Sequence, residues 1–573
     1  MSKTPTSVLW EITVRLVLWS DTHVGSADPA HRRADETGTD LPVDRAPDTG
    51  LPRLRATTLA GLLRHDLTAR TGDAEAAATL FGTAAAEDPD GNGYPGALDL
   101  DDAQGRVPAP VVPRSGNRVD PASGTALPGH LWSREILPAG TVLTAHLRLH
   151  VHEPGDEGRL LGLLVEAVAG LHAPAPEQAR APAPGPGPGL HVGARTGRGH
   201  GAVAATAWGA RRHDLTTAEG WFAHHARTWD RRHQDGEHTL ADGPATLTEA
   251  LARVLHTEGL PDLACDLPAG TTDRRRRDEL RLTLAVGEPD RPSVPGRVRP
   301  GLLMITDHPP PDRAGAVDRV HRHRPPARPA PPAEGPTPAY RGPGPSVSRP
   351  EEAQNPSAAS GPALQSPGNE PVLGDTALHA LLKRIAARLA RDACEALGGH
   401  EDLWRHWHAH WWGGDTDPAT ALPRPSRVRL RRTPVLTGGA PLTTTRLTVD
   451  SLFGDAVDGH LSTDDMYCGG SAEAVLDVHE PDDAVRGLIA LLVRELATVP
   501  LHTLGSGAGN GHGRVTATAA TLTLHPGHDA PARTVDLLTA VREPDSAEAR
   551  TARAWVSRWH ARLRPRPVAE GDR

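Results

Sequence analysis

The stretch Val119-Asp120-Pro121-Ala122-Ser123-Gly124-Thr125-Ala126-Leu127-Pro128-Gly129-His130-Leu131 returns 330 residues later, without a gap, as Val449-Asp450-Ser451-Leu452-Phe453-Gly454-Asp455-Ala456-Val457-Asp458-Gly459-His460-Leu461. A pattern V-D-x-x-x-G-x-A-x-x-G-H-L used twice requires the same local structure twice. At 573 residues the chain also exceeds what one hydrophobic core holds. Two further pairs keep the same order. Thr57–Arg64 overlays Thr376–Lys383, and Gly193–Val203 shares G-x-x-x-G-x-G-H-G-x-V with Gly505–Val515. From Asp120 to Gly193 is 73 positions and from Asp450 to Gly505 is 55; a Pro/Ala/Gly stretch at 173–189 accounts for the excess. Two copies of one module are therefore expected.

Periodicity supplies the elements. Trp10–Trp19 alternates as a half-buried strand, and a polar loop covers 20–50. Thr57 and Thr58 are hydroxyl residues suited to capping the helix that follows. Val142–Val151 reads as a strand, Leu160–Leu171 as an apolar helix, and the glycine loop precedes a last strand. The second half repeats the order: a strand from Glu279, a helix from Thr376, a strand at Ala474–Val478, a helix at Ala484–Leu496, and the loop at Gly505. This organisation divides into a first module at 1–215, a helical and basic connector at 216–278, a second module at 279–535 and a helical tail at 536–573. Residues 325–370, rich in Pro, Ser and Gly, are expected to stay unfolded.

Composition excludes several classes. The formal charge is −9, so a uniformly basic nucleic-acid coat is ruled out and contacts must come from local patches such as Arg274–Arg277, for which a solvated face is the equal alternative. Only two lysines occur among 62 basic residues; codon bias explains this, but arginine also offers phosphate a planar fork. Three distant cysteines, Cys265, Cys394 and Cys468, indicate neither a disulfide framework nor a structural zinc site. No signal core or membrane-length apolar run is present, and a soluble cytoplasmic protein is expected.

The glycine loops lack the Gly-Lys-Ser/Thr of a P-loop and precede strands rather than helices, which removes both nucleotide-binding readings. They remain candidates for bare backbone pressed against an extended ligand, with Arg195, Arg198 and Arg514 available to phosphate. His406 and His410 lie one helical turn apart, but without the intervening glutamate of a zinc protease an amphipathic helix is favoured. His200 and His512 fit acid–base or packing roles equally. The loop Asp40-Leu41-Pro42-Val43-Asp44-Arg45, ahead of a basic helix, places carboxylates where divalent metal and RNA could meet; a solvated acidic loop is the alternative.

Asp40, Pro42, Val43, Leu51, Pro52, Leu59, Gly61 and Arg64 together resemble, without a gap, the RAMP superfamily of CRISPR-associated proteins, specifically the Cas-seven-like backbone subunits of type III effector complexes. Leu80-Phe81-Gly82 resembles a short element of that family, with Trp411-Trp412-Gly413 as its second-copy counterpart. The resemblance implies an α+β fold of two ferredoxin-like, RRM-like domains in tandem with long loop insertions. It implies CRISPR RNA bound along two adjacent segments, and target RNA and other type III effector subunits as partners. Asp40 is implied as the catalytic, metal-binding aspartate, using Mg2+ or another divalent cation; Asp35 and Asp44 are fallbacks. Asp318 is the second-copy choice, with Asp307 and Asp312 as other candidates. RNA contacts are expected from Arg45, Thr57, Thr58, Arg64, Thr376 and Lys383, and from the loops through Gly193, Arg195, Gly197, Arg198, Gly199, Gly505, Gly509, Gly511 and Arg514. A non-catalytic guide-binding scaffold is the main alternative. A metal-independent guide-processing endoribonuclease acting through His23 or His31 is the third reading.

Overall fold

The computed structural model describes residues 5–564 apart from 27–39, 84–92, 106–110, 120–125, 173–188, 269, 271, 291–297, 310–312, 325–368, 415–423, 500–501 and 528–530. Asp35, His31, Asp312, almost all of the Pro/Ala/Gly stretch and nearly all of 325–370 fall outside the described residues. The fold is α+β. No helix among the described residues is long and apolar enough to cross a membrane.

The first half runs β1 (Val8–Leu18), α1 (Ala56–Thr71), α2 (Ala74–Phe81), β2 (Leu98–Leu100), β3 (Ala103–Gly105), β4 (Val112–Val119), β5 (Ala126–Ile136), β6 (Val142–Val151), α3 (Glu157–Ala167) and β7 (Ala202–Asp214). Helices α4 (Ala218–His225), α5 (Trp229–Thr239) and α6 (Leu247–Thr257) follow. The second half runs β8 (Arg277–Pro289), β9 (Arg319–His321), α7 (Asp375–Ala396), α8 (Glu401–Trp412), β10 (Val428–Leu430), β11 (Ala440–Val449), β12 (Ala456–Cys468), β13 (Ser471–His479), α9 (Asp483–Thr498), β14 (Val515–His525) and α10 (Ala547–Leu563).

β1 carries apolar residues on both faces, so it belongs in mid-sheet. It lies between β6 and β7, antiparallel to each, with β2 and β3 beyond β6. β8 takes the same place between β13 and β14, with β10 beyond β13. Both central strands slip by one residue against their last strand at matching points, Arg15/Leu16 and Thr283/Leu284. A shared bulge is a sensitive mark of a shared plan, because it re-aims every side chain beyond it. Leu59, Leu63, Leu67, Leu160, Leu161 and Leu164 from α1 and α3 fill the first core. Leu378, Leu382, Ile385, Leu488, Leu492 and Leu496 from α7 and α9 fill the second.

Connector and tail prove integral to these cores. Leu247, Leu251 and Leu255 of α6 are buried in the first, and Trp555, Trp559 and Leu563 of α10 in the second. Apolar helical spacing in both segments is the physical reason, since such faces must be covered. Arg274–Arg277 is not a solvated face throughout. Arg275 bonds Asp66 of α1 and Asp273, while Arg277 is buried beside Asp477 and Glu279, so part of the basic run stitches the two halves together.

Candidate nucleic-acid interface

The recurring V-D-x-x-x-G-x-A-x-x-G-H-L stretch is the outer part of a long hairpin in each half. β4 pairs with β5 and β11 with β12 in matching registers: Asn117↔Leu131 and Val119↔Ala126 against Leu447↔Leu461 and Val449↔Ala456, with an irregularity at the same point. Gly129 and Gly459 both have φ +74°, the conformation that only glycine adopts without strain. In the second arm Asp450 accepts hydrogen bonds from the amides of Leu452 and Phe453, which hold its carboxyl below the usual range; the matching turn, 120–125, lies outside the described residues. Leu131, Leu452, Phe453 and Leu461 are 62–80% exposed on these arms, an unusual cost for an isolated chain.

Asp40 and Asp318 occupy equivalent positions at the arm bases. Asp40 Oδ2 accepts from the Ser133 amide at 2.7 Å, and Asp318 Oδ2 accepts from the Thr463 amide at 2.7 Å. Each next residue then pairs in parallel with the arm strand, Leu41 with Arg134 and Arg319 with Asp464. Both carboxylates are exposed. Asp44 and Asp307 differ. Asp44 is buried, and although burial pushes its carboxyl up, Arg55 and Arg53 hold it down. Asp307 is held by Arg114 of the first arm. Both are structural ion pairs rather than open carboxylates.

In the glycine loops, Gly193 and Gly505 bring their α-carbons against the protein's own backbone: a Cβ would stand 2.2 Å from His23 O or 2.3 Å from Met304 O. Gly201 and Gly513 are equally constrained, at 2.0 Å from Val192 O and 1.9 Å from Leu504 O. These four glycines close each loop onto the preceding chain, so the expected bare-backbone ligand surface is narrower than its glycine count. The loops then diverge. Gly197 O accepts from the Leu430 amide, Gly199 abuts Leu430 and Arg432, and buried His200 lies 3.3 Å from Asp375 at the start of α7. The first loop thus docks the two halves together. Around Gly509 and Gly511 the second loop is exposed, and Arg514 pairs with Glu288 at 2.5 Å.

Arg195 has φ +62° where the second copy has Gly507 at +82°. Its guanidinium stacks 5.4 Å over Trp132 of the first arm. Burial first, then neighbouring Arg134 and Arg198, push it down to about 9. Arg322 also acts on Arg134, whereas Asp375 is the main acidic counterweight. A strained backbone retained under a cluster of like charges is a candidate phosphate site. Arg134 and Arg322 were missed in the sequence, since isolated arginines on an alternating strand and a loop carry no pattern. A cleft of about 910 Å³ opens nearby between the halves, lined by Thr58, His65, Arg275, Arg424, Arg427 and Arg429 among others.

Thr57 and Thr58 are not the cap of α1. The helix starts at Ala56, and Asp102 accepts that residue's amide at 2.8 Å. A carboxylate from a distant loop outcompetes the local hydroxyls, leaving Thr57 exposed and Thr58 on the cleft. Thr376 is likewise second in its helix, α7. Arg64 sits half-buried on α1, Lys383 donates to Gly413 O, and Arg45 donates to Gly50 O, 3.6 Å from Glu135. His23 is buried, with Nδ1 2.9 Å from Glu135 O, and burial lowers its pKa. Gly82 and Gly413 end α2 and α8 at φ +77° and +74°, each followed by a matching bridge, Thr83↔Tyr94 and Gly414↔Arg424. His406 and His410 are exposed on amphipathic α8, whose buried face is His408, Trp411 and Trp412.

No curated protein matches the chain. The span from β1 into β7, residues 15–204, which holds the first arm, the Asp40 loop and the first glycine loop, matches the family model of the RAMP superfamily.

Proposed function

We propose that this chain is a CRISPR-associated RNA-binding subunit, two ferredoxin-like modules in tandem, that serves as backbone of a type III interference complex. Each module would hold one of two adjacent segments of CRISPR RNA, with target RNA paired to it and other effector subunits at the ends. The observation that carries this reading is the equivalence of the two arm bases, Asp40 on Ser133 and Asp318 on Thr463. A docked first glycine loop and an exposed second one fit a chain whose modules stack in one direction.

Asp40 and Asp318 would direct cleavage of target RNA beside each arm. Displacement of one nucleotide by the exposed arm would free its 2′-hydroxyl to lose its proton to solvent and attack the adjoining phosphate in line; the P–O5′ bond opposite breaks, the 5′-oxygen takes up a proton, and a 2′,3′-cyclic phosphate and a 5′-hydroxyl result. An exposed carboxylate facing RNA phosphates suits Mg2+, which binds through one or two carboxylates plus substrate oxygens and would stabilise charge on the phosphate. The same hydrogen bonds favour a second reading, a non-catalytic scaffold in which the two aspartates pin the arms.

Asp40→Asn and Asp318→Asn separate the two, because the amide oxygen still accepts the strand N–H while the charge is lost. In the assembled complex with bound guide, each variant is expected to abolish one cut and spare guide binding. Cutting by both variants at the wild-type rate would refute catalysis and leave the scaffold.

A further inference from the structure

On the other face of the first sheet, away from α1 and α3, Glu11 of β1, His213 of β7 and His224 of α4 converge, one ligand atom from each lying within 4.8 Å of the others. Glu11 Oε2 is 3.0 Å from His213 Nε2, and the imidazoles of His213 and His224 meet edge to face at 5.0 Å. Both histidines are more than nine-tenths buried, at 6% and 7% exposure. His224 Nδ1 is buried without a hydrogen-bond partner among the described residues. Leaving such a group unpaired costs about 1–3 kcal/mol.

α4 makes this cost pointed. It is eight residues long, its only buried side chain is His224, and its two large apolar residues, Trp221 and Phe222, are 46% and 64% exposed. α5 buries no side chain at all. A helix normally docks through an apolar stripe; this one is seated on the sheet by an imidazole facing a second imidazole and a carboxylate. The geometry points to a binding site for a divalent transition-metal ion of the zinc class, formed by Glu11, His213 and His224, that clamps α4 to the sheet.

The chemistry of the donors supports it. His224 Nδ1, buried and unpartnered among the described residues, offers a ligand atom toward the other two. Glu11 supplies a carboxylate oxygen, Oε2, on the side of the histidines. Arg232 donates to Oε1 at 2.6 Å, which leaves Oε2 toward the histidines and orients the carboxylate from outside. A tetrahedral ion with ligands at ~2.1 Å needs them about 3.4 Å apart, so a small inward rotation suffices. Two nitrogens and one carboxylate oxygen, with a fourth position for water, form a common zinc donor set. The second half provides an internal contrast. Glu279 and His525 repeat Glu11 and His213 in register, but Arg281 and Arg431 bond Glu279, and among the described residues no third ligand joins them.

The test uses the full chain without an affinity tag, stripped with chelator and titrated with Co2+ and then Zn2+. One equivalent of Co2+ is expected to give the visible bands of a four-coordinate site, displaced by Zn2+, with slower amide exchange over 218–239. His224→Phe removes the ligand while supplying an apolar anchor, and His213→Gln removes the second ligand. Both should stay folded by circular dichroism, lose the bands and lose the metal-dependent protection. Absence of cobalt bands in the wild-type chain, or full bands in a folded His224→Phe variant, would overturn the assignment.

Discussion

Replacing Arg195 by Gln should move stability and RNA binding in opposite directions. The residue carries a guanidinium pushed down to about 9, by burial first and by Arg134 and Arg198 next. A basic group whose folded pKa lies below its unfolded value is destabilising at neutral pH, so removing the charge stabilises. The whole shift would correspond to roughly 5 kcal/mol. Solvent screening of this half-buried side chain and loss of the stacking on Trp132, worth about 0.5–1 kcal/mol, reduce the expected gain to about 1 kcal/mol. For a module of this size that is a rise of roughly 2–4 °C in Tm. RNA affinity should fall about 5–30-fold, the loss of one charge-assisted phosphate contact, and the slope of log K against log salt should shrink by about 0.7. Differential scanning fluorimetry and salt-dependent fluorescence anisotropy with single-stranded RNA measure the two. A lower Tm together with unchanged affinity and slope would refute the reasoning and make Arg195 an ordinary structural residue.

Glycine substitutions should separate loop closure from ligand contact: Gly201→Ala and Gly513→Ala, with a Cβ about 2 Å from a carbonyl oxygen at positive φ, should each cost about 3 kcal/mol or more in denaturant unfolding. Gly511→Ala, at φ +78° with open space around it, should cost about 1 kcal/mol. Acid should unfold the chain through its buried ion pairs. Burial raises Glu11, Asp101 and Asp477, but His213 and Arg232, His233 and Arg148, and Arg431 and Arg277 respectively hold them at about 2. Such depressed carboxylates stabilise above their unfolded pKa near 4, by about 2–3 kcal/mol each, and that stability is lost as pH falls toward 2; circular dichroism against pH checks it. Truncating the arm tip with Leu452→Ser and Phe453→Ser should leave Tm within about 0.5 kcal/mol-equivalent of wild type, because these side chains are 80% and 77% exposed, while weakening cleavage or duplex binding.

The recurrence of motifs was legible in the linear order of residues because it depends on local rules. Gly129 and Gly459 mark a turn that needs positive φ, β1 carries the nearly continuous apolar run of a central strand, and Gly82 and Gly413 stop helices where no Cβ fits. No motif flanks Asp318, and by sequence it stands level with Asp307 and Asp312; only the fold places it on Thr463 as Asp40 lies on Ser133. Other features had no local signal. Asp102 caps α1 from outside the helix, Asp44 disappears into an arginine pair, and Arg134 and Arg322 join Arg195 only once the first arm folds back on the second module.

Sequence alone determined that one ordered set of motifs recurs in both halves, since hairpin turns, strand patterns and helix stops are set by neighbours within a few residues. Tertiary structure decided what each copy does with its parts: one glycine loop becomes an internal joint and the other stays open, and Glu11, His213 and His224 meet from three segments. The reason is physical. Charge pairing, desolvation and ligand convergence depend on distances through space, and residues 200 positions apart along the chain leave no periodic trace of being 3 Å apart in the fold.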